Sequence, residues 1–551
     1  MRREPVPIKQ CSADKISTEP EVIKEAELRR QLLGDYLLNM VQKVNVLDES
    51  KDTSWVEDQA LPLLARFAYS QELECKPALS EKTRTLFRNR LMSAFAHLLS
   101  DLKGYSYPCN LLQKFSPDAV EMDNGIVGAK DQAISTLLKI LKKAEKAQPE
   151  KKAPLQALAL LYSLVIFQLY NGEPEAVSIL DELRICYDKF IRHKDTEESN
   201  VDVSEVLVEL LLSFISKPSA LLRKVTQHVF GAFMAEITVG GLKLMTDVLE
   251  SDESLRGQQQ LFDQEPEDAD LMEGGSDDEL GSDVEVVDMD GDEGHLNNHL
   301  AEEESDDDDD DDEVDSDEEP DDDDEDSRKL DEALAKALGT HVLNEGDEES
   351  DSDADMTDSE MMALDSKLVE IFSQRKKVPN KKQEQKDAKE TMVNFKSRVL
   401  DLLEIYVKKQ ATNPLAFNLL LPLLHSIRTT KTKQLAEKAH EIILSFHKAS
   451  RTSKKSEDAP TVNISEQLKL LKAIHAEASK DPSHMFAKAA SSACLLVASS
   501  MYKADKGSVK KIAGVYRDSQ VAWVQGEVKM QAAFFVEWVN WCQSHANSGN
   551  T

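Results

Sequence analysis

The sequence predicts an all-α protein in which two helical blocks flank a long acidic segment. Apolar residues recur at helical spacing on both sides of residues 251–360, and strand-like alternation of useful length does not appear. The third observation is charge: the 551 residues carry a formal net charge of −37, yet residues 251–360 alone contain 49 acidic and 4 basic residues. The flanking sequence is therefore mildly basic, and the overall charge describes neither part.

Composition shifts divide the chain into six expected segments. They are an N-terminal disordered tail (1–19), a helical-repeat block (20–250), an acidic disordered segment (251–358), a second helical block with a basic linker (359–449), a linker (450–462) and a C-terminal helical bundle (463–545). Short helices joined by short turns predict a HEAT- or armadillo-like stack, because each helix pair can bury its apolar face only against its neighbours.

In the N-terminal block, Leu28, Leu32, Tyr36, Met40 and Val44 recur at helical spacing, and we expect this stripe to be buried. Proline fits the first turn of a helix, so Pro218 is expected to open the helix over 218–234. The run 153–170 is apolar but shorter than the roughly 20 residues of a membrane span, which favours an inner helix of the stack.

In the C-terminal part, Asn413-Pro414 predicts a helix start, since asparagine can cap free amides and proline fits the first turn. Periodicity predicts further helices over 432–447, 465–479 and 484–502. A single helix is expected over 519–542.

The acidic segment is expected to be disordered. Residues 301–326 hold 21 acidic side chains in 26 positions, so neighbouring charges repel within a screening length of about 8 Å. Several serines have an acidic residue three positions later, a pattern that resembles the targets of casein-type kinases: Ser276, Ser282, Ser305, Ser316, Ser350 and Ser352. The segment serves either as a solvated spacer or as a polyanion that binds basic proteins such as histones and ribosomal proteins.

Basic residues cluster in the second block. Such clusters suit a nuclear localisation signal or a strip that contacts phosphates, whereas the alternative for each is an ordinary solvated face. The candidates are Arg375, Lys376, Lys377, Lys381, Lys382, Arg428, Lys431, Lys433, Lys454 and Lys455.

Motifs of catalysis and cofactor binding are missing. The sequence contains neither a Walker motif nor G-x-G-x-x-G, and His425, His440 and His447 do not have the spacing of metal ligands. We therefore expect no enzyme activity, no cofactor, no metal and no small-molecule substrate.

Three segments of the second block are distinctive: EMMALDSKLVEIFSQRKK (360–377), AKETMVNFKSRVLDLLEIYVKKQATNPLAFNLLLPLL (388–424) and IRTTKTKQLAEKAHEIIL (427–444). With the acidic tract before them, they resemble the C-terminal portion of the DNA polymerase V (polymerase phi) and Myb-binding protein 1A family. The resemblance implies a nucleolar helical-repeat protein tied to ribosomal DNA transcription and ribosome biogenesis. The family also carries a polymerase name, but the Tyr-x-Asp-Thr-Asp motif of B-family polymerases is not found in this sequence.

The leading hypothesis is a nucleolar scaffold that binds ribosomal DNA or pre-ribosomal RNA and, through the acidic segment, basic nuclear proteins. The alternative is a chaperone of histones or ribosomal proteins that acts mainly through the acidic segment. A DNA-directed DNA polymerase is the third. Anionic membrane surfaces are excluded as partners because they would repel the acidic segment.

Overall fold

The protein is described by a computed structural model that covers residues 20–44, 53–70, 75–99, 102–115, 120, 122, 124–173, 175–192, 202–262, 381–452 and 463–547. Within these ranges all regular secondary structure is helical, and no strand occurs. The predicted all-α class, with helical blocks on both sides of the acidic segment, is confirmed. Residues 263–380, which include nearly all of that segment and the six candidate serines, lie outside the described residues.

The described residues up to position 262 contain eleven α-helices, the last of which lies within the acidic segment. They are α1 (Pro20–Gln42), α2 (Leu61–Tyr69), α3 (Glu81–Leu98), α4 (Ser106–Lys114), α5 (Asn124–Lys146), α6 (Pro149–Tyr170), α7 (Ala176–Cys186), α8 (Val203–Ser216), α9 (Ala220–Phe233), α10 (Val239–Glu250) and α11 (Leu255–Phe262). Neighbours in sequence mostly pack on each other, as α2 does on α3, α5 on α6 and α8 on α9.

The described residues from position 381 onward contain seven α-helices. They are α12 (Lys381–Lys409), α13 (Leu420–Thr429), α14 (Lys433–Thr452), α15 (Ile464–Ala478), α16 (His484–Ala504), α17 (Val509–Val524) and α18 (Ala532–Asn547). Helix α16 lies at the centre of this group and contacts α13, α14, α15, α17 and α18.

The apolar run near residue 160 forms the central helix of the N-terminal block, as predicted. Helix α6 packs against α4, α5, α7 and α9, and side chains such as Leu158, Val165 and Ile166 are inaccessible to solvent. The stretch Lys151–Tyr170 is long and apolar enough to cross a membrane, but 83% of it is buried inside the protein. Its apolar character is therefore explained by neighbouring helices on every side.

The stripe predicted on α1 is not buried, and that prediction is wrong. Leu28, Leu32 and Tyr36 are 55%, 59% and 61% exposed, and Met40 is also exposed. The opposite face of α1 packs on α3 through Gly34, Leu38 and Val41. At Gly34 a methyl group would lie 3.2 Å from Leu86 Cδ2, so the absence of a side chain sets how closely the two helices approach. The helix has two apolar faces, and the smaller side chains make the closer contact.

Local signals set several helix ends. Asn413 accepts a hydrogen bond from the amide of Leu415 and Pro414 opens a short 3₁₀ helix (Pro414–Leu419), so the predicted start is confirmed. Pro218, by contrast, precedes α9 rather than opening it, because Ser219 is the capping residue and accepts from the amide of Leu222. The expected single helix over 519–542 is two helices. Gly526, at φ +75°, turns the chain between α17 and α18 in a conformation that other residues rarely adopt.

The two helical blocks are joined across the acidic segment. The described helices within residues 1–261 and 388–551 belong to one compact unit. Within this unit, α10 packs against α13, and the ring of Phe230 on α9 lies 6.3 Å from that of Tyr406 on α12. The helical core therefore continues from one block into the other, although more than a hundred residues separate them in sequence.

A buried ion pair lies at this junction. Lys396 Nζ on α12 is 3.3 Å from Glu253 Oε1 in the α10–α11 turn, and the two side chains are only 5% and 10% exposed. Thr432, just before α14, donates its hydroxyl to the other carboxylate oxygen of Glu253 at 3.3 Å. Burial lowers the pKa of Lys396 from its ordinary value, although the carboxylate of Glu253 acts in the opposite direction. The charges stay buried because each compensates the other.

The guanidinium of Arg398 adds a second link. Its Nη1 donates to the backbone oxygens of Ile215 and Lys217, at 2.8 and 3.0 Å, at the C-terminal end of α8. The last carbonyls of a helix have no partners within it and carry partial negative charge, so a cation is favourable there. An arginine after the acidic segment thus caps a helix before it.

Candidate nucleic-acid interface

Lys431 and Lys433 lie in and directly after the turn between α13 and α14, and both are exposed. The turn is held by its own threonines, since the amide of Thr432 donates to Thr430 Oγ1 at 3.1 Å. Thr432 also binds Glu253 of the junction. The two lysines therefore extend into solvent from a backbone that is tied to both helical blocks.

Arg428, the third candidate in this region, is engaged within the fold. Its Nε donates to Glu477 Oε1 at 2.8 Å, and its Nη2 lies 3.1 Å from His425 Nδ1. Lys480 donates to the other oxygen of Glu477 at 2.7 Å. Burial acts to raise the pKa of Glu477, but the hydrogen bonds from Lys480 and Arg428 outweigh it, and the pKa lies below its ordinary value. Arg428 thereby links α13 to α15.

A second group of cations lies at the C-terminal end of α14. Lys503, in the last turn of α16, donates to the backbone oxygen of Ser450 at 3.4 Å. Burial lowers the pKa of His447, and the nearby charges of Arg451 and Lys503 lower it further. Sequence reasoning missed Lys503, because only the packing of α16 on α14 brings it beside a residue about fifty positions earlier.

The two cationic groups lie on one side of α14. Lys433 and Arg451 are 18 positions apart, which is about five helical turns and about 27 Å along the axis, so they share a direction. The exposed residues Glu437, Glu441 and Leu444 lie between them. This edge of the protein therefore carries two separated groups of cations rather than one continuous basic strip.

The other candidates fall at the margins of the described ranges. Lys381 and Lys382 open α12, and nothing further is described for their side chains. Five candidates lie outside the described residues: Arg375, Lys376, Lys377, Lys454 and Lys455. The last two follow α14 directly and continue the sequence beyond Arg451.

In the part of the chain that the structure describes, no group of three or more His, Cys, Asp or Glu side chains is arranged to hold a metal ion. His425 contacts Arg428, and burial lowers the pKa of both His440 and His447. These histidines are explained by packing and by neighbouring charges.

Comparison with curated proteins finds relatives along most of the chain. The sequence is 31% identical over 563 aligned positions to the rDNA transcriptional regulator pol5 of Schizosaccharomyces pombe, an alignment that covers 97% of this chain and 55% of that protein. It is 32% identical to human Myb-binding protein 1A over 56% of this chain and 23% of that protein. The rDNA transcriptional regulator POL5 of Saccharomyces cerevisiae is 29% identical over 58% of this chain and 33% of its own length.

The chain thus spans about half the length of the fission-yeast relative and a third or less of the other two. No solved structure matches it. The family model described as DNA polymerase phi matches residues 9–407, which include the whole N-terminal block, the acidic segment and nearly all of α12. On this match, and on its similarity to the fission-yeast regulator, the chain belongs to the DNA polymerase phi family.

Proposed function

We propose that this chain is a non-enzymatic scaffold of the nucleus and nucleolus that supports ribosomal DNA transcription and ribosome biogenesis. The observation that carries the proposal is the alignment of 97% of the chain with a protein named as an rDNA transcriptional regulator. A relative from budding yeast carries the same name. The polymerase name of the family has no counterpart in a catalytic motif of this sequence.

The scaffold is a HEAT- or armadillo-like stack, and its ligands are ribosomal DNA or pre-ribosomal RNA. Support comes from the continuous helical core and from exposed cations at the α13–α14 turn and at the ends of α14 and α16: Lys431, Lys433, Arg451 and Lys503. Cations at such positions bind phosphates without reading sequence. The cluster Arg375, Lys376, Lys377, Lys381 and Lys382 serves nuclear import or adds further phosphate contacts.

Replacing the two turn lysines tests this interface. If Lys431 and Lys433 each neutralise a phosphate, the variant Lys431→Ala/Lys433→Ala should bind a duplex DNA of mixed sequence more weakly. In a plot of log affinity against log salt concentration, the negative slope should become shallower by about 2. Fluorescence anisotropy at several salt concentrations measures both quantities.

The matched control is Lys139→Ala/Lys142→Ala, which removes two exposed lysines of α5 and changes the net charge equally. It should leave both affinity and slope unchanged. Equal losses in the two variants would mean that DNA responds only to net charge, and the interface at the α13–α14 turn would be wrong.

A second candidate function is a chaperone of histones or ribosomal proteins, favoured by the 49 acidic residues in 251–360. Phosphorylation at Ser276, Ser282, Ser305, Ser316, Ser350 and Ser352 would increase this charge. Deletion of residues 263–380 separates the two candidates. A chaperone would lose its basic partners with this segment, whereas a scaffold would keep nucleic-acid binding through the helical unit.

A further inference from the structure

The exposed face of α1 is a continuous apolar stripe. Leu28, Leu32, Tyr36 and Met40 follow one another at intervals of four residues, and each is at least 37% exposed. They lie on the side of the helix opposite Gly34, Leu38 and Val41, which pack on α3. Apolar side chains that are exposed along one face of a helix are unfavourable in water. This face therefore has the composition of an interface.

The stripe is symmetric about its own centre. Leu32 and Tyr36 are equally distant from Gly34 in sequence, and so are Leu28 and Met40. In an antiparallel pair of α1 helices, related by a twofold axis that crosses the exposed face at the level of Gly34, Leu32 would meet Tyr36 of the second copy. Leu28 would meet its Met40. Each apolar side chain would then have an apolar partner, as a twofold interface requires.

The charges at the ends of the stripe are complementary in the same arrangement. Glu25 and Lys43 are also equally distant from Gly34, and the 18 positions between them are about five turns, so both point away from α3. Both are exposed. In the antiparallel pair, Glu25 would face Lys43 of the second copy at both ends. In a parallel pair, Glu25 would face Glu25 and Lys43 would face Lys43, so that like charges would repel.

We propose that this chain forms a homodimer through the exposed face of α1, with the two helices antiparallel and centred on Gly34. The occupant is a second copy because its apolar residues and its charges match the stripe in one register. The contact is short, since Leu28 to Met40 spans about 18 Å of helix. It therefore belongs with small interfaces and a micromolar dissociation constant.

Sedimentation equilibrium of the purified chain across the micromolar range tests the proposal. The wild-type protein should dimerise, and Leu32→Glu should raise the dissociation constant by about tenfold or more, because two carboxylates enter an apolar contact. The control Leu444→Glu alters an equally apolar residue of α14 that is 44% exposed, and it should leave the dimer unchanged.

Charge exchange tests the orientation. Lys43→Glu places a second carboxylate opposite Glu25 and should weaken the dimer, whereas Glu25→Lys/Lys43→Glu restores opposite charges and should recover the wild-type dissociation constant. Circular dichroism checks that each variant is folded. A protein that stays monomeric throughout the range, as expected if another partner covers the stripe, overturns the proposal. So does a dimer that persists in Leu32→Glu or is not restored by the double exchange.

Discussion

Replacing Lys396 by methionine should destabilise the protein by about 3–5 kcal/mol, since it leaves the carboxylate of Glu253 buried without its cation. Among the described residues, the hydroxyl of Thr432 would still donate to that carboxylate. Because the pair joins α12 to the α10–α11 turn, the loss would loosen the contact between the two helical blocks. Urea unfolding followed by circular dichroism measures the change in the free energy of unfolding.

Removing both charges should lower the free energy of unfolding far less than removing the lysine alone. In Lys396→Met/Glu253→Leu neither charge is buried alone, and replacing a buried ion pair by apolar side chains is often neutral or stabilising. The double-mutant cycle should therefore show strong coupling between the two positions.

The control is Lys408→Met, which breaks the exposed pair between Lys408 and Glu404 within α12 and should change stability by no more than about 0.5 kcal/mol. If Lys396→Met cost as little as Lys408→Met, the ion pair would contribute nothing to the junction.

Acidification should destabilise the C-terminal helices through His475. His475 is 4% exposed, its ring centroid lies 4.5 and 4.9 Å from those of Tyr516 and Phe534 with the ring planes nearly perpendicular, and its Nδ1 lies 2.8 Å from Ser519 Oγ. Burial lowers the pKa of His475 from 6.5 to about 4. Between these two pKa values the unfolded chain therefore binds more protons than the folded one. The contribution of neutral His475 to stability is fully present above pH 6.5 and is lost as the pH drops towards 4.

The size of this loss follows from the shift in pKa. At about 1.4 kcal/mol per pKa unit, His475 should remove about 3 kcal/mol of stability between pH 6.5 and 4. The free energy of unfolding of His475→Gln should consequently depend less on pH by that amount, even though its stability at neutral pH is lower. The control His484→Gln alters an exposed histidine at the start of α16. A wild-type pH profile in His475→Gln would contradict the role given to burial.

Helix positions were predicted well where a capping residue and a strong apolar periodicity agree. Asn413-Pro414 is an example, since Asn413 accepts a hydrogen bond from the amide of Leu415 at the predicted start. Prediction failed at Gly526, because the apolar residues on either side of the turn continue the same periodicity. A glycine with positive φ cannot be recognised from spacing alone.

The face of α1 could not be predicted from periodicity, since both sides of the helix are apolar. Which side packs on α3 depends on the close approach at Gly34, a tertiary property. The family resemblance was seen only in residues 360–445, whereas the family model extends from residue 9 to residue 407. Many different residues satisfy the apolar spacing of an amphipathic helix. The N-terminal block therefore contains no short motif by which the family could be recognised.

The junction was beyond sequence reasoning for a different reason. Lys396, Arg398 and Glu253 are ordinary charged residues in the sequence, and their partners lie more than a hundred positions away. The same holds for Lys503 beside Arg451 at the candidate interface, where the separation is about fifty positions. Ion pairs and helix caps between distant residues can be identified only from the three-dimensional structure. Here they join the two helical blocks within one compact unit.

Cutting the chain between the two helical blocks tests most directly whether they pack into one unit. A site for a specific protease inserted within 301–326 allows the full-length, folded protein to be cleaved into two fragments. If α10 with α13, Phe230 with Tyr406 and Glu253 with Lys396 hold the blocks together, the fragments should elute together in size-exclusion chromatography until urea is added. Two folded fragments that separate in buffer alone would contradict the account.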